Sequence, residues 1–132
     1  MKSTIFRLFS VVTLTLFALQ NAQAAEVVVI SNPGITVSAE DIKDIFLGEK
    51  QFVGRTQLVV IDNISVQSGF LSQYMHMEVA RYNNIWTKKS FRDGLSPPAV
   101  KSGDAEVIEY VKRTPGAIGY VSHPAEGVNV VQ

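Results

Sequence analysis

Four short stretches of this chain are apolar almost without interruption, and between them apolar residues return every three or four positions. Glu26-Val27-Val28-Val29-Ile30 is β-branched and ends at Ser31-Asn32-Pro33-Gly34, the pattern of a buried strand running into a loop. Leu58-Val59-Val60-Ile61 is a second such run, ended by Asp62-Asn63. Ala117-Ile118-Gly119-Tyr120-Val121 and Val128-Asn129-Val130-Val131 predict two closing strands. Ser38-Ala39-Glu40-Asp41 predicts a helix start: Ser38 is placed to cap free N–H groups, and the two acids stand at the positive end of the dipole. Ile42, Ile45 and Phe46 fall on one face of that helix, and Gly48 stops it in the left-handed conformation. A second helix is expected from about Ser68 to Arg81, carrying Phe70, Leu71, Tyr74, Met75 and Val79. Ile85, Trp86, Phe91 and Leu95 predict a shorter aromatic helix or turn, closed by Gly94 and Pro97-Pro98. Asp104 to Arg113 is the third clear helix, with Val107, Ile108 and Val111 inward and Glu109 four residues before Arg113 outward. Pro115-Gly116 breaks it. Apolar strands alternating with amphipathic helices imply an α/β fold, a mostly parallel sheet flanked by helices.

Composition changes the picture at the N-terminus. Lys2 and Arg7 precede an apolar run from Leu8 to Leu19, and Ala22-Gln23-Ala24 places small residues at both sites of a cleavage signal. These are the parts of a secretory signal peptide, expected over residues 1–24 and followed by one domain over 25–132. The whole chain of 132 residues balances twelve basic against twelve acidic side chains; loss of Lys2 and Arg7 leaves the mature domain at −2. Such a balance lacks the basic stripe of a nucleic-acid binder, and no later stretch is long and apolar enough to span a membrane. Export without any cysteine leaves stability to packing rather than disulfides.

Three stretches, taken together, resemble the periplasmic phosphate-binding proteins of ABC transporters. The first is Val37-Ser38-Ala39-Glu40-Asp41-Ile42-Lys43-Asp44-Ile45-Phe46-Leu47-Gly48. The second runs from Val59-Val60-Ile61-Asp62 to Ser65-Val66-Gln67-Ser68-Gly69-Phe70, with Trp86 and Phe91 downstream. The third joins Glu106-Val107 and Tyr110-Val111 to Thr114-Pro115-Gly116-Ala117-Ile118-Gly119-Tyr120-Val121. The resemblance covers nearly all of 25–132, at the size of one lobe, the second, of the two-lobed family. It implies a single lobe of a type II periplasmic-binding-protein-like fold, a periplasmic location, and a link to ABC-type phosphate uptake. That family holds its anion with an arginine four residues before a Ser-Gly-Thr turn. Ser68 and Gly69 match the Ser-Gly, while Ile64 stands at the arginine position and Phe70 at the threonine position. The resemblance thus implies an anion site at Ser65, Ser68 and Gly69, weakened by the lost charge.

Two functions follow. One is a binding protein for phosphate or another small anion, its second wall supplied by a homodimer or another envelope protein. The other is a periplasmic interaction or sensory module that has lost anion capture, with Ile64 and Phe70 as an apolar pair at the mouth of the old site. Other chemistry has little to build on. With two histidines and no cysteine, no metal, cofactor or catalytic constellation is expected. Met75-His76-Met77 offers soft ligands, but residues two apart on a helix do not face each other, which leaves Met75 to the core and His76 to water. Lys88, Lys89 and Arg92 are expected to form a solvated face around a buried aromatic anchor, or a patch for an anionic partner; Trp86 is expected in the core.

Overall fold

The computed structural model describes residues 26–132; the expected signal peptide lies outside the described residues. The central strand is β6 (Ala117–Val121), every residue of which is buried. On one side β6 pairs antiparallel with β1 (Val28–Ser31), which pairs antiparallel with β7 (Asn129–Val130) at the edge. On the other it pairs in parallel with β4 (Val59–Asn63), which pairs in parallel with the edge strand β5 (Ala99–Lys101). The order is β5-β4-β6-β1-β7, so β4 to β7 all run one way and β1 runs against them. A separate hairpin joins β2 (Phe52–Val53) to β3 (Thr56–Gln57) through Gly54-Arg55.

Helices cover both faces, as the alternation of strand side chains requires. A 3-10 turn (Ala39–Asp41) leads into α1 (Ile42–Phe46), α2 (Gln67–Phe70) continues as a π-helical turn (Leu71–Met75), and α3 spans Val79–Asp93. These pack on one face through Ile42, Ile45, Phe46, Phe70, Leu71, Tyr82 and Trp86, against Val27, Val29, Ile118 and Tyr120 of the sheet. On the opposite face α4 (Asp104–Arg113) lays Val107 and Val111 on Ile30, Ile61, Ala117 and Val121. Gly119 permits that approach, for a Cβ there would lie 2.9 Å from Val107 Cγ1. Glu109 and Arg113 pair on the outer side of α4 at 3.7 Å, as their spacing predicts.

Several expectations are corrected. Ser38 makes no capping hydrogen bond; the first turn is 3-10, closed by the Asp41 N–H donating to the Ser38 carbonyl at 3.0 Å, while the Ser38 side chain stays at the exposed surface. The helix expected from Ser68 to Arg81 breaks after Met75. Gln73 accepts from the Val27 N–H and donates to its carbonyl, and the Tyr74 hydroxyl donates to that carbonyl at 2.9 Å. Tying this turn to the chain beside β1 accompanies the wider π winding; His76 then ends it with φ 51°, and α3 starts afresh after Glu78. The aromatic segment is therefore the second half of α3, ended as expected by left-handed Gly94. Phe91 is 94% exposed rather than anchored. Strand β5 and the hairpin had no counterpart among the predicted elements, being two or three residues per strand. Asn32, in the loop after β1, donates to the Val111 and Lys112 carbonyls and so closes the end of α4.

Gly116 adopts φ +79°, and a Cβ there would lie 2.2 Å from the Gln57 carbonyl oxygen. Gly54 also has positive φ, +58°, but has open space around it. Gly116→Ala should therefore cost ~3 kcal/mol in urea unfolding, and Gly54→Ala ~1 kcal/mol, because only the first adds a backbone clash to the conformational cost.

Candidate functional site

The parallel strands end together on one side of the sheet, the side at which open α/β sheets bind ligands. Because successive strand residues point to opposite faces, the last two residues of β4 divide. Asn63 turns toward α4 and Asp62 toward α3. Asn63 Nδ2 donates to Asp104 Oδ1 at 2.9 Å and to the Tyr120 carbonyl at 3.1 Å. Its Oδ1 accepts from the Ser65 N–H and from the Ser65 hydroxyl, the latter at 2.6 Å. Asp104 also accepts from the Ser122 hydroxyl at 2.6 Å and from the N–H groups of Ser122 and His123. Partial burial works to raise the Asp104 pKa, but these hydrogen bonds outweigh it and hold the carboxyl below its ordinary value. A charged carboxylate therefore sits one side chain from Ser65.

Asp62 is 1% exposed. Tyr82 of α3 donates its hydroxyl to Oδ2 at 2.8 Å, and Tyr120 of β6 donates to Oδ1 at 2.9 Å. Burial raises the Asp62 pKa and the two hydroxyl donors pull against it, leaving it above the usual carboxylate value. Both phenols are pushed far up, first by burial and then by the adjacent carboxylate.

Ser65, Ser68 and Gly69 lie along one passage from β4 into α2, but their side positions face different ways. The Ser65 hydroxyl is spent on Asn63. Ser68 lines a shallow groove with Ser72, His76 and Glu78. A Cβ on Gly69 would stand 3.4 Å from Val27 Cγ2. What they share is the first turn of the helical segment 67–75, whose opening N–H groups have no partner within a helix. Ile64, which stands at the resembled family's arginine position, is 57% exposed, whereas Phe70 is fully buried. Phe70 stacks on Tyr120 with centroids 3.9 Å apart and also leans on Phe46. The apolar pair expected at the site mouth is thus one surface residue and one core residue, because Phe70 lies on the sheet side of its helix.

Of the basic cluster on α3, Lys88 and Arg92 are exposed and Lys89 is partly buried. Lys89 donates to the Leu47 carbonyl and pairs with Glu49, and Arg92 pairs with Asp93. Trp86 is buried, donating its indole N–H to the Phe46 carbonyl at 3.1 Å. Met75 is in the core and His76 at the surface, though on a turn rather than a continuous helix.

No family model and no curated protein matches the chain. Solved structures do. PstS from Borrelia burgdorferi is 22% identical, with a TM-score of 0.50, over 80% of this chain and 46% of its own. The fold is shared with PstS. An ABC-type phosphate transport receptor from Vibrio cholerae is 13% identical, with a TM-score of 0.48, over 80% of this chain and 45% of its own. The chain spans less than half the length of either receptor. Among the described residues no helix is long and apolar enough to cross a membrane.

The two acids at this end of the sheet should respond to pH with opposite signs. The folded state holds the Asp62 proton more tightly than the unfolded chain, whose value is 3.8. That contribution is complete below 3.8 and is lost as pH rises through the folded value. Asp62→Asn removes it, so in urea unfolding the stability of the variant relative to the parent should rise as pH increases from about 4 through the raised folded value. Asp104 contributes above its unfolded value of 3.8 and loses that contribution as pH falls through its lowered folded value. Asp104→Ala, which strands the Ser122, His123 and Asn63 donors, should cost ~3 kcal/mol at neutral pH and progressively less under acid.

Proposed function

We propose that this protein is an exported binding protein, not an enzyme, that recognises a small phosphate-like anion weakly where β4 enters α2. The observation that supports this reading is the opening turn of segment 67–75 at the carboxyl end of a parallel strand. There the unpaired N–H groups of a helix start favour an anion, Ser68 offers an exposed hydroxyl, and the PstS fold stands behind it. Ser65 contributes chain geometry rather than a donor, since its hydroxyl already serves Asn63.

Weak affinity follows from the chemistry. Ile64 supplies no charge, and the Asp104 carboxylate beyond Asn63 repels an anion. A missing charge-assisted hydrogen bond is worth about 1.5–3 kcal/mol, or one to two decades in affinity. In this reading residues 1–24 direct export to the periplasm and are removed, and the domain works beside ABC-type phosphate uptake, with a second wall provided by another protein.

A second reading is favoured by a separate observation. Ile64, Val100 and Phe91 are exposed large apolar side chains, and β5 pairs only with β4. Such a surface suits a periplasmic interaction module.

Thermal melts of the purified protein with phosphate, sulfate and chloride at fixed ionic strength separate the two. Phosphate at a hundred times its dissociation constant should stabilise by ~2.7 kcal/mol, raising the midpoint by roughly ten degrees. Ser68→Ala should shrink that shift without lowering the midpoint of the unliganded protein. Identical curves in all three salts would reject anion binding and favour the interaction module.

A further inference from the structure

We propose that the cleft between α3 and the Pro97-Pro98 segment is a distinct binding site for a small organic cation, its ammonium head against Asp62 and Gln67 and its apolar body against Trp86, Phe91 and Pro98. The cleft measures about 460 Å³, within the range of small-molecule sites. Its wall includes Asp62 and Val100, each next to the last residue of its strand. A second cleft of about 440 Å³ shares Trp86, Pro97 and Pro98 with it, but is lined by the start of β4 and has no acidic residue in its wall.

The floor of the first cleft holds two polar groups whose bonding is incomplete. Asp62 has two tyrosine hydroxyls but no cationic partner; the ion pairs among the described residues all lie elsewhere. A buried carboxylate without a counter-charge is costly, and an ammonium group in the cleft supplies one, using lone pairs that the hydroxyls leave free. Gln67 is 7% exposed, and its amide makes no side-chain hydrogen bond among the described residues. No fully enclosed side-chain polar atom there lacks a partner, so the Gln67 amide reaches solvent, and the cleft is what it lines. Its oxygen can accept a second ammonium N–H.

The walls select the rest of the molecule. Tyr82, Trp86 and Phe91 line the cleft, and aromatic faces attract cations while giving a hydrocarbon body its contact area. Phe91 is the most exposed of the large apolar side chains and stands on the rim, where a bound molecule would cover it. No lysine or arginine lines the cleft. An anion would find a carboxylate and no counter-charge there, which separates this site from the one at the start of segment 67–75.

Calorimetric titration of the purified protein with 2-phenylethylammonium, and separately with the neutral isostere 2-phenylethanol, tests the assignment. The ammonium should bind saturably and the alcohol at least about tenfold more weakly. Asp62→Asn and Gln67→Leu should each weaken the ammonium by about fivefold or more, and Phe91→Ala should also weaken it. Phe91 is fully at the surface, so that variant folds even where Asp62→Asn does not, and with Gln67→Leu it decides the matter. Equal binding of alcohol and ammonium overturns the proposal. So does the absence of saturable ammonium binding, or affinity unchanged in both Gln67→Leu and Phe91→Ala.

Discussion

The hydroxyls of Tyr82 and Tyr120 converge on one buried carboxylate, Asp62, and the helical face of the sheet is organised around that clamp. It joins α3 to β4 and β6 within a mostly apolar layer. The ring of Tyr120 then carries the stack with Phe70, and Phe46 leans on both rings. Each helical element on that face therefore meets the same cluster, α1 through Phe46, α2 through Phe70 and α3 through Tyr82. A buried acid is an expensive centre for such an arrangement. Hydrogen bonds from two phenols offset part of the cost, and the one from Tyr82 ties α3 to the sheet, since each donor must point at one oxygen.

The opposite face shows the same economy with different partners. Asn63, one residue further along β4, donates to the Asp104 carboxylate at the start of α4, which in turn gathers the chain leaving β6 through Ser122 and His123. Neighbouring residues of one strand thus anchor helices on both sides of the sheet. The polar groups available to ligands are concentrated at this end because the strand ends, helix starts and connecting loops meet there. Asp104 is held ionised and Asp62 is pushed toward its neutral form, so a carboxyl at the start of α4 and one at the end of β4 offer a ligand opposite electrostatic surroundings.

Much of the fold was legible because its signals are local. The runs around Val29, Val60 and Ile118, the α4 stripe of Val107 and Val111, and the stops at Gly48, Gly94 and Gly116 all appear where the pattern puts them. The break after Met75 was not legible, because hydrogen bonds from Gln73 and Tyr74 to Val27, dozens of residues away, decide the winding there. Ser65 and Ser68 were readable as neighbours of a helix start, but not the turn of the Ser65 hydroxyl toward Asn63. Asp62 and Gln67 fell within the second stretch of the family resemblance but were given no site role; burial is what distinguishes them from surface polar residues of the same types.

By itself the sequence determined the longer strands β1, β4 and β6 and the helices α1 and α4, since side-chain periodicity and turn residues act over a few positions of backbone. Tertiary structure alone decided that β1 runs against its neighbours, that Phe70 points inward while Ile64 and Phe91 face water, and that an acid, an amide and three aromatic rings share one cleft. Those outcomes rest on contacts between residues distant in the chain, whose energies depend on which partner arrives and in which direction, and no local pattern encodes either.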